Sequence, residues 1–316
     1  MSWFLTAVIS YFLLAIVNLT DKFLIDNVLR SSKTYAFLVC LLGSLIFLAA
    51  PWLLNWPGIN LLIANLLTGA LFAAALYFLF EALSKGEAAR TVIIIGGLIP
   101  VFSTIFSLLL GQSFFILQLV GISFLLLGTF LIAYLPDRHS FWEKIWLYLG
   151  ATPKEKNSMW LIVLSSFFYA LFFLSTKLVY SNQNFWSAFM WVRLGALLTV
   201  LLFLIDKSSR LEIFKNLGIN KKKKKQTKKK NILLFLFNQG LGSLSFILQN
   251  YAIFLGPVAI ITALQGVQYA IMIFLAFFLG FFFKEYKEKF SWHLLGQKTV
   301  AIIFISLGLY FISLNL

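Results

Sequence analysis

The sequence predicts an all-α, polytopic membrane protein with ten transmembrane helices, arranged as two inverted five-helix repeats. The prediction rests on an apolar composition, ten long apolar runs and a weak internal repeat. Of the 316 residues, 61% are hydrophobic and 12% are charged, whereas soluble domains carry about 25% charged residues. The surface of such a chain suits lipid better than water.

Ten runs are long enough to cross a bilayer, because a membrane helix needs about 20 apolar residues to span roughly 30 Å of hydrocarbon. The runs are continuous in their apolar character, which favours helices. The first run has no preceding Lys or Arg and no small-x-small cleavage site after it, so we expect it to be retained as a span. The predicted spans cover residues 3–24, 34–54, 59–80, 91–110, 114–135, 159–180, 185–205, 232–255, 257–283 and 292–315.

Lysine and arginine residues are unevenly distributed among the predicted connections. Those outside the spans all lie in the connections that follow spans 1, 3, 5, 7 and 9. Basic loops remain in the cytoplasm, so we expect the odd-numbered loops there and both termini outside. The expected location is the cytoplasmic membrane of a bacterium, as an integral multi-pass protein.

The strongest charge run is KKKKKQTKKK, from Lys221 to Lys230. Clustered cations attract the phosphates of nucleic acids, but this run lies within a predicted loop at residues 206–231 and has no interleaved aromatic residues. A cytoplasmic segment near anionic lipid headgroups explains it better. The predicted partner is therefore the lipid bilayer, and no nucleic-acid partner is expected.

Residue types that bind metals or catalyse reactions are scarce. Cys40 is the only cysteine, and neither His139 nor His293 belongs to a recognisable ligand spacing. The predicted spans contain no paired carboxylates and no Ser/His arrangement. We therefore expect no metal, no cofactor and no enzymatic activity.

A weak internal repeat relates the two halves of the chain. Identical residues recur first at an offset of 155 residues and later at 170, in the pairs Ser10 and Ser165, Ala15 and Ala170, Lys22 and Lys177, Asn27 and Asn182, Ala82 and Ala252, Gly86 and Gly256, Ala89 and Ala259, and Gly96 and Gly266. Each half holds five spans, an odd number, so the second half enters the membrane the opposite way up.

The repeat sets the predicted domain organisation. The first five-helix repeat covers residues 1–136 and the second covers residues 159–316. Between them, residues 137–158 are predicted to form an interfacial amphipathic helix, rich in Trp on one face, followed by a polar linker.

These features resemble the ten-helix drug/metabolite transporter superfamily, in the form that carries two EamA domains. The segment from Glu81 to Leu135 has the family pattern of an Ala-Leu before a short turn, a proline in span 4 and two glycines in span 5. The segment from Ala252 to Glu285 repeats the pattern. The chain departs from it at Gln112, where the family usually has glutamate, and at Tyr269, near which it often has proline.

The resemblance implies a secondary transporter of a small metabolite, which is amino-acid-like or another polar organic solute, with export as one possible direction. Inverted repeats suit alternating access, and no Walker lysine motif is present for coupling to ATP. A proton or a counter-solute stays open as the coupling partner. A flippase for lipid-linked sugars or polyamines and a non-transporting membrane scaffold are the alternatives; substrate, direction and oligomeric state stay open.

Polar residues within the spans are the candidate substrate-binding residues, because a charge within a bilayer costs about 2.5 to 3.5 kcal/mol. Lys22 and Lys177 occupy equivalent positions and are predicted to attract an anionic or carboxylate-bearing solute; snorkelling or capping a helix C-terminus is the alternative. Polar residues on one face of span 8 are predicted to line a wet cavity; hydrogen bonding between helices is the alternative. The predicted set is Lys22, Lys177, Arg193, Tyr77, Glu81, Asn238, Ser245, Gln249, Gln265, Gln268 and Tyr269.

Overall fold

The computed structural model describes residues 2–27, 32–85, 88–133, 153–216, 229–282 and 292–314, and no β-strand occurs within these ranges. The first half contains α1 (Trp3–Asn27), α2 (Ser32–Gly43), α3 (Ala50–Leu53), α4 (Ile59–Lys85), α5 (Ala88–Leu109) and α6 (Ile116–Ala133). The second half contains α7 (Pro153–Tyr180), α8 (Phe185–Leu201), α9 (Lys207–Asn216), α10 (Lys229–Leu255), α11 (Val258–Ala263), α12 (Gln265–Phe282) and α13 (Trp292–Ser313).

Helices occupy the positions of the predicted spans, and the starts of α1, α4, α8 and α13 coincide with the predicted ones. Within the described residues, four helical stretches have the length and apolar composition of a membrane span. They are Lys33–Leu53, Ile59–Ser84, Met159–Tyr180 and Phe185–Leu204. Shorter apolar helices lie elsewhere along the chain. The described part of the chain is thus helical without strands, its long apolar helices support a multi-pass membrane protein, and the count of ten spans stays a prediction.

Two predicted spans are interrupted in the structure. A 3-10 helix at Ser44–Ala49 separates α2 from α3, where Pro51 lies in the first turn. Proline has no amide donor, which accounts for the change in hydrogen bonding there. The predicted span at 257–283 is divided into α11 and α12 at Leu264.

Two predicted connections are partly helical. α7 begins at Pro153, inside the predicted linker, because proline is favoured in the first turn of a helix, where its missing amide costs nothing. α9 forms within the predicted basic loop, and the Asp206 carboxylate caps it by accepting from the Ser209 amide at 2.8 Å. The predicted amphipathic helix at 139–150 and the basic residues 221–228 lie outside the described residues.

The main helix interfaces join the two halves of the chain. α1 packs along α10, α4 packs along α7, and α6 packs along α13. In the last pair, Gly121 lies against Gly308, while Gly128, further along α6, lies against Ala301, earlier in α13. The residue numbers rise along one helix as they fall along the other, so α6 and α13 are antiparallel.

α1 and α7, which the repeat makes equivalent, also run in opposite directions. α1 begins at the C-terminal end of α10, where Trp3 packs against Gly256. α7 ends at the same place, because Lys177 in its last turn donates to the Phe254 carbonyl at 2.8 Å. One helix therefore starts at the end of the molecule where the other finishes.

Large apolar side chains remain exposed on the outside of the bundle. Trp52 is 80% exposed and Leu48 is 76% exposed, and similar residues occur along most helices. Contiguous apolar surface on this scale is rare on soluble monomers but is what hydrocarbon accepts. Polar side chains are instead buried between helices, where the candidate site lies.

Candidate functional site

Arg193 is a buried charge at about mid-depth in the bundle. α8 begins at Phe185, and a rise of 1.5 Å per residue places Arg193 about 12 Å along the helix axis. Its side chain is 6% exposed. The guanidinium carbon lies 4.2 Å from the ring centre of Phe246, 5.0 Å from that of Phe72 and 5.2 Å from that of Phe189. We call these three rings the aromatic cage.

The cage draws on three helices from both halves of the chain. Phe189 precedes Arg193 by four residues on α8, which puts both on one face. Phe72 from α4 and Phe246 from α10 meet each other with ring centres 5.0 Å apart. Phe172 of α7 packs on Phe72 at 5.0 Å, which fixes the cage from behind.

Within the described part of the chain, the Arg193 guanidinium contacts aromatic rings and no oxygen acceptor. Its Nε atom is enclosed without an acceptor, and no hydrogen bond or ion pair to Arg193 occurs among the residues that the structure describes. Cys40, Tyr169 and Tyr180 are the groups close enough to interact with it electrostatically, and none is a carboxylate. Aromatic rings attract a cation, but they do not satisfy its five N–H donors as oxygen acceptors would.

A glycine crossing presses α8 onto α4 and so positions Arg193 against Phe72. A Cβ atom on Gly69 would overlap the Val192 carbonyl, and one on Gly195 would overlap the backbone of Leu66. Only residues without a side chain permit this backbone contact.

The predicted polar face of α10 lies in the seam with α1. The Ser245 hydroxyl donates to the Ser10 carbonyl at 2.8 Å, and the Gln249 amide donates to the Tyr11 hydroxyl at 3.2 Å. Asn238 is also buried and turned toward the α1 backbone. These contacts are hydrogen bonds between helices, and the role of the three residues in substrate binding stays a prediction.

Of the predicted residues of α12, Tyr269 lies against α5. Gln265 donates to the Tyr269 hydroxyl at 3.3 Å, and this hydroxyl donates to the Val92 carbonyl at 3.1 Å while packing on Gly96. Gln268 is 1% exposed, and its Oε1 atom accepts no hydrogen bond within the described part of the chain. Within the predicted substrate-binding set, Gln268 thus joins Arg193 as a buried polar group with unused hydrogen-bonding capacity.

Lys177 lies away from the aromatic cage, at the end of α7. Its Nζ donates to the carbonyl of Phe254 in the last turn of α10, where the helix dipole favours a cation. The residue also lines a pocket of about 590 Å³ together with Gln112 and Gln118. The backbone of Lys22 lies in α1, but its side chain is outside the described residues, so the predicted lysine pair stays a prediction.

Tyr77 and Glu81 lie toward the end of α4. The Tyr77 ring contacts that of Phe203, just after α8, with centres 5.6 Å apart. Glu81 is partly buried and engaged in a further interaction. The structure therefore places Tyr77 against the segment that follows α8.

The sequence pointed to Arg193 but missed its cage. Phe189 could have been found from its spacing of four residues on the same predicted helix. Phe72 and Phe246 are far from Arg193 in sequence, and 36 phenylalanines offer no basis for choosing them. Their roles depend on how the halves pack, which no local pattern shows.

Comparison with known proteins finds a similarity to a family of membrane transporters in the first part of the chain. Residues 1–134 match the model of the EamA-like transporter family, whereas no curated protein matches the chain. One crystal structure, described only as that of a protein, has a TM-score of 0.64 and 14% sequence identity, covering 98% of this chain and 95% of that chain. At this identity it shows a shared fold alone. Over residues 1–134 the chain therefore carries the EamA-like transporter family pattern, which confirms the resemblance to the drug/metabolite transporter superfamily.

Proposed function

We propose that the protein is a secondary transporter that moves a small polar organic solute across the cytoplasmic membrane by alternating access. The match to the EamA-like family supports the class, a membrane transporter of the drug/metabolite type. The observation that carries the mechanism is the opposite direction of equivalent helices, seen in α6 with α13 and in α1 with α7. Inverted halves enclose a site that each side can reach in turn.

Two helix interfaces that the repeat makes equivalent differ in the structure, which supports a gating role for them. α8 packs closely on α4 through Gly69 and Gly195, whereas their counterparts α2 and α10 make few contacts. Gly240 on α10 meets no atom within 4 Å of an added Cβ. In our proposal, the α4–α8 interface is the closed gate of this conformation and the α2–α10 interface is the open one.

The proposal places Arg193 at the substrate site, and the other members of the predicted substrate-binding set stay predictions. Arg193 touches helices of both gates, because Phe72 belongs to α4 and Phe246 belongs to α10. A solute bound there contacts both halves of the chain. Gln268 supplies a second unused polar group from α12.

A two-stage screen tests the proposal. Purified protein is first screened for thermal stabilisation by amino acids, nucleosides, sugars, organic cations and organic anions, because a bound ligand stabilises the folded state by mass action. Stabilising solutes are then tested for uptake into protein-containing liposomes without ATP. We expect saturable uptake of at least one solute above the rate in protein-free liposomes. Uptake of none of them would contradict the proposal and favour a scaffold.

A further inference from the structure

We infer that Arg193 binds the carboxylate of a monovalent organic anion and that the aromatic cage contacts the apolar part of the same solute. The inference rests on the proposed transport function and deepens it by naming the substrate class.

The Arg193 charge is buried and isolated within the described part of the chain. Arginine keeps its proton in proteins, so a cation lies among phenylalanine rings at mid-depth. Within the described part of the chain, Arg193 has no carboxylate partner, and its Nε atom has no acceptor. Buried charges are ordinarily paired because isolation is costly. An unpaired one at the interface of two halves is suited to a partner that arrives from solution.

The N–H donors of Arg193 define the shape of the acceptor that would satisfy them. The guanidinium presents its N–H groups in a planar fork that matches the two oxygens of a carboxylate. The rings of Phe72, Phe189 and Phe246 surround the cation, but they offer no oxygen acceptor to that fork. A planar oxyanion with an apolar substituent satisfies both the donors and the neighbouring rings.

The cations near the aromatic cage determine which charge a bound solute would carry. Lys177, the other described cation in the predicted site, donates to the Phe254 carbonyl at the end of α10 and is not part of the cage. Among the cations whose side chains the structure describes in the predicted site, Arg193 is thus the one that faces the cage, and it balances one negative charge. A doubly charged phosphate would keep an uncompensated charge in an apolar site, so the geometry favours a monocarboxylate.

The position of Gly43 links this site to gating. The Arg193 guanidinium lies against Gly43 at the end of α2, where a Cβ would come 2.9 Å from Nη1. The same guanidinium lies over Phe246 on α10. Arg193 thus touches both helices of the interface that we propose as the open gate, so neutralising its charge alters the contact between them.

Ligand-induced thermal stabilisation of the purified protein tests the inference with acetate, benzoate and phenylacetate, and with phenylacetamide as the uncharged match. We expect benzoate and phenylacetate to raise the unfolding temperature of the wild type and phenylacetamide to leave it unchanged. Arg193→Gln should abolish the effect. Arg193→Lys should weaken phenylacetate binding at least about tenfold, since lysine keeps the charge but not the fork.

The unfolding temperature without ligand separates binding from structure. If Arg193 waits for an anion, Arg193→Gln removes an unpaired charge and should leave the unliganded protein at least as stable. If Arg193 has a purely structural role, Arg193→Gln should be less stable than the wild type, and no carboxylate should stabilise the wild type. This combined result would overturn the inference. Carboxylate stabilisation that persists in Arg193→Gln would overturn it as well.

Uptake into liposomes distinguishes this inference from the proposed function. Phenylacetate that binds in an Arg193-dependent way but never crosses the membrane would support the site and contradict the transporter. Uptake of neutral solutes alone, unaffected by Arg193→Gln, would support the transporter and overturn the carboxylate site.

Discussion

Lys177 and Arg193 are both cations within the predicted spans, but their neighbours differ. Lys177 has a carbonyl acceptor at 2.8 Å in the last turn of α10, so a backbone group partly satisfies its charge. Among the described residues, the neighbours of the Arg193 guanidinium are aromatic rings and weakly polar groups. The sequence marks both as charges in apolar runs. It does not distinguish them, because the decisive neighbours lie on other helices.

Lys177 is expected to contribute to stability by capping α10. Lys177→Met keeps the apolar stem but removes the donor, so Phe254 loses its hydrogen bond. We expect a loss of about 1 kcal/mol in unfolding free energy, measured by thermal unfolding in detergent. Lys177→Arg, which keeps a donor, is the control. A Lys177→Met variant as stable as the wild type would contradict this role.

At the scale of helices, the α4–α8 crossing depends on two residues without side chains. An alanine at Gly69 or Gly195 would place its Cβ against the backbone of the facing helix, so the helices must separate. We expect either substitution to cost about 1 to 3 kcal/mol in thermal unfolding.

Gly240→Ala is the matched control for that prediction. The added methyl meets no atom within 4 Å, and alanine forms helix better than glycine by about 1 kcal/mol. We expect equal or greater stability. If Gly69→Ala and Gly240→Ala behaved alike, the close crossing would be contradicted.

The start of α9 should depend on pH through its cap. The hydrogen bonds from the Ser209 hydroxyl and amide lower the pKa of the Asp206 carboxyl below its ordinary value. A lowered pKa in the folded state means that the cap stabilises α9 above the ordinary aspartate pKa of about 3.9, and that this stabilisation is lost as the pH falls through the folded value.

Hydrogen exchange of peptides covering α9 measures this dependence, after correction for intrinsic exchange rates. We expect protection of the first turn to fall in acid in the wild type and to be low at every pH in Asp206→Ala. Asp206→Asn caps without titrating, so its protection should vary least. Equal acid sensitivity in Asp206→Asn would contradict the assignment.

Helix positions followed from the sequence better than helix continuity did. Long apolar runs predicted the starts of α4 at Ile59 and of α8 at Phe185, because membrane crossing requires uninterrupted apolar length. The sequence does not predict the break at Leu264, because residues 258–283 contain no charged residue and no proline.

The opposite orientation of the two halves could be predicted from the sequence. Each half is predicted to hold five spans, an odd number, so the second half enters the membrane from the other side. The pairings that join the halves, such as α6 with α13 through Gly121 and Gly308, could not be predicted, because glycines occur in many of the predicted helices. The cage around Arg193 depends on those same pairings.

Ten spans place both termini on one side of the membrane. Because the basic loops are predicted to be cytoplasmic, we expect alkaline phosphatase fused after Leu316 to be active and green fluorescent protein at the same position to be dark. The opposite result would contradict the proposed orientation.

Counterflow tests the carrier proposal most directly. Liposomes containing the protein are loaded with an excess of a stabilising solute from the screen and diluted into a trace of the labelled form. A carrier whose site opens to each side in turn exchanges internal for external solute, so we predict that the label rises transiently above its equilibrium level. A label that only approaches equilibrium at a rate independent of the internal solute would contradict alternating access.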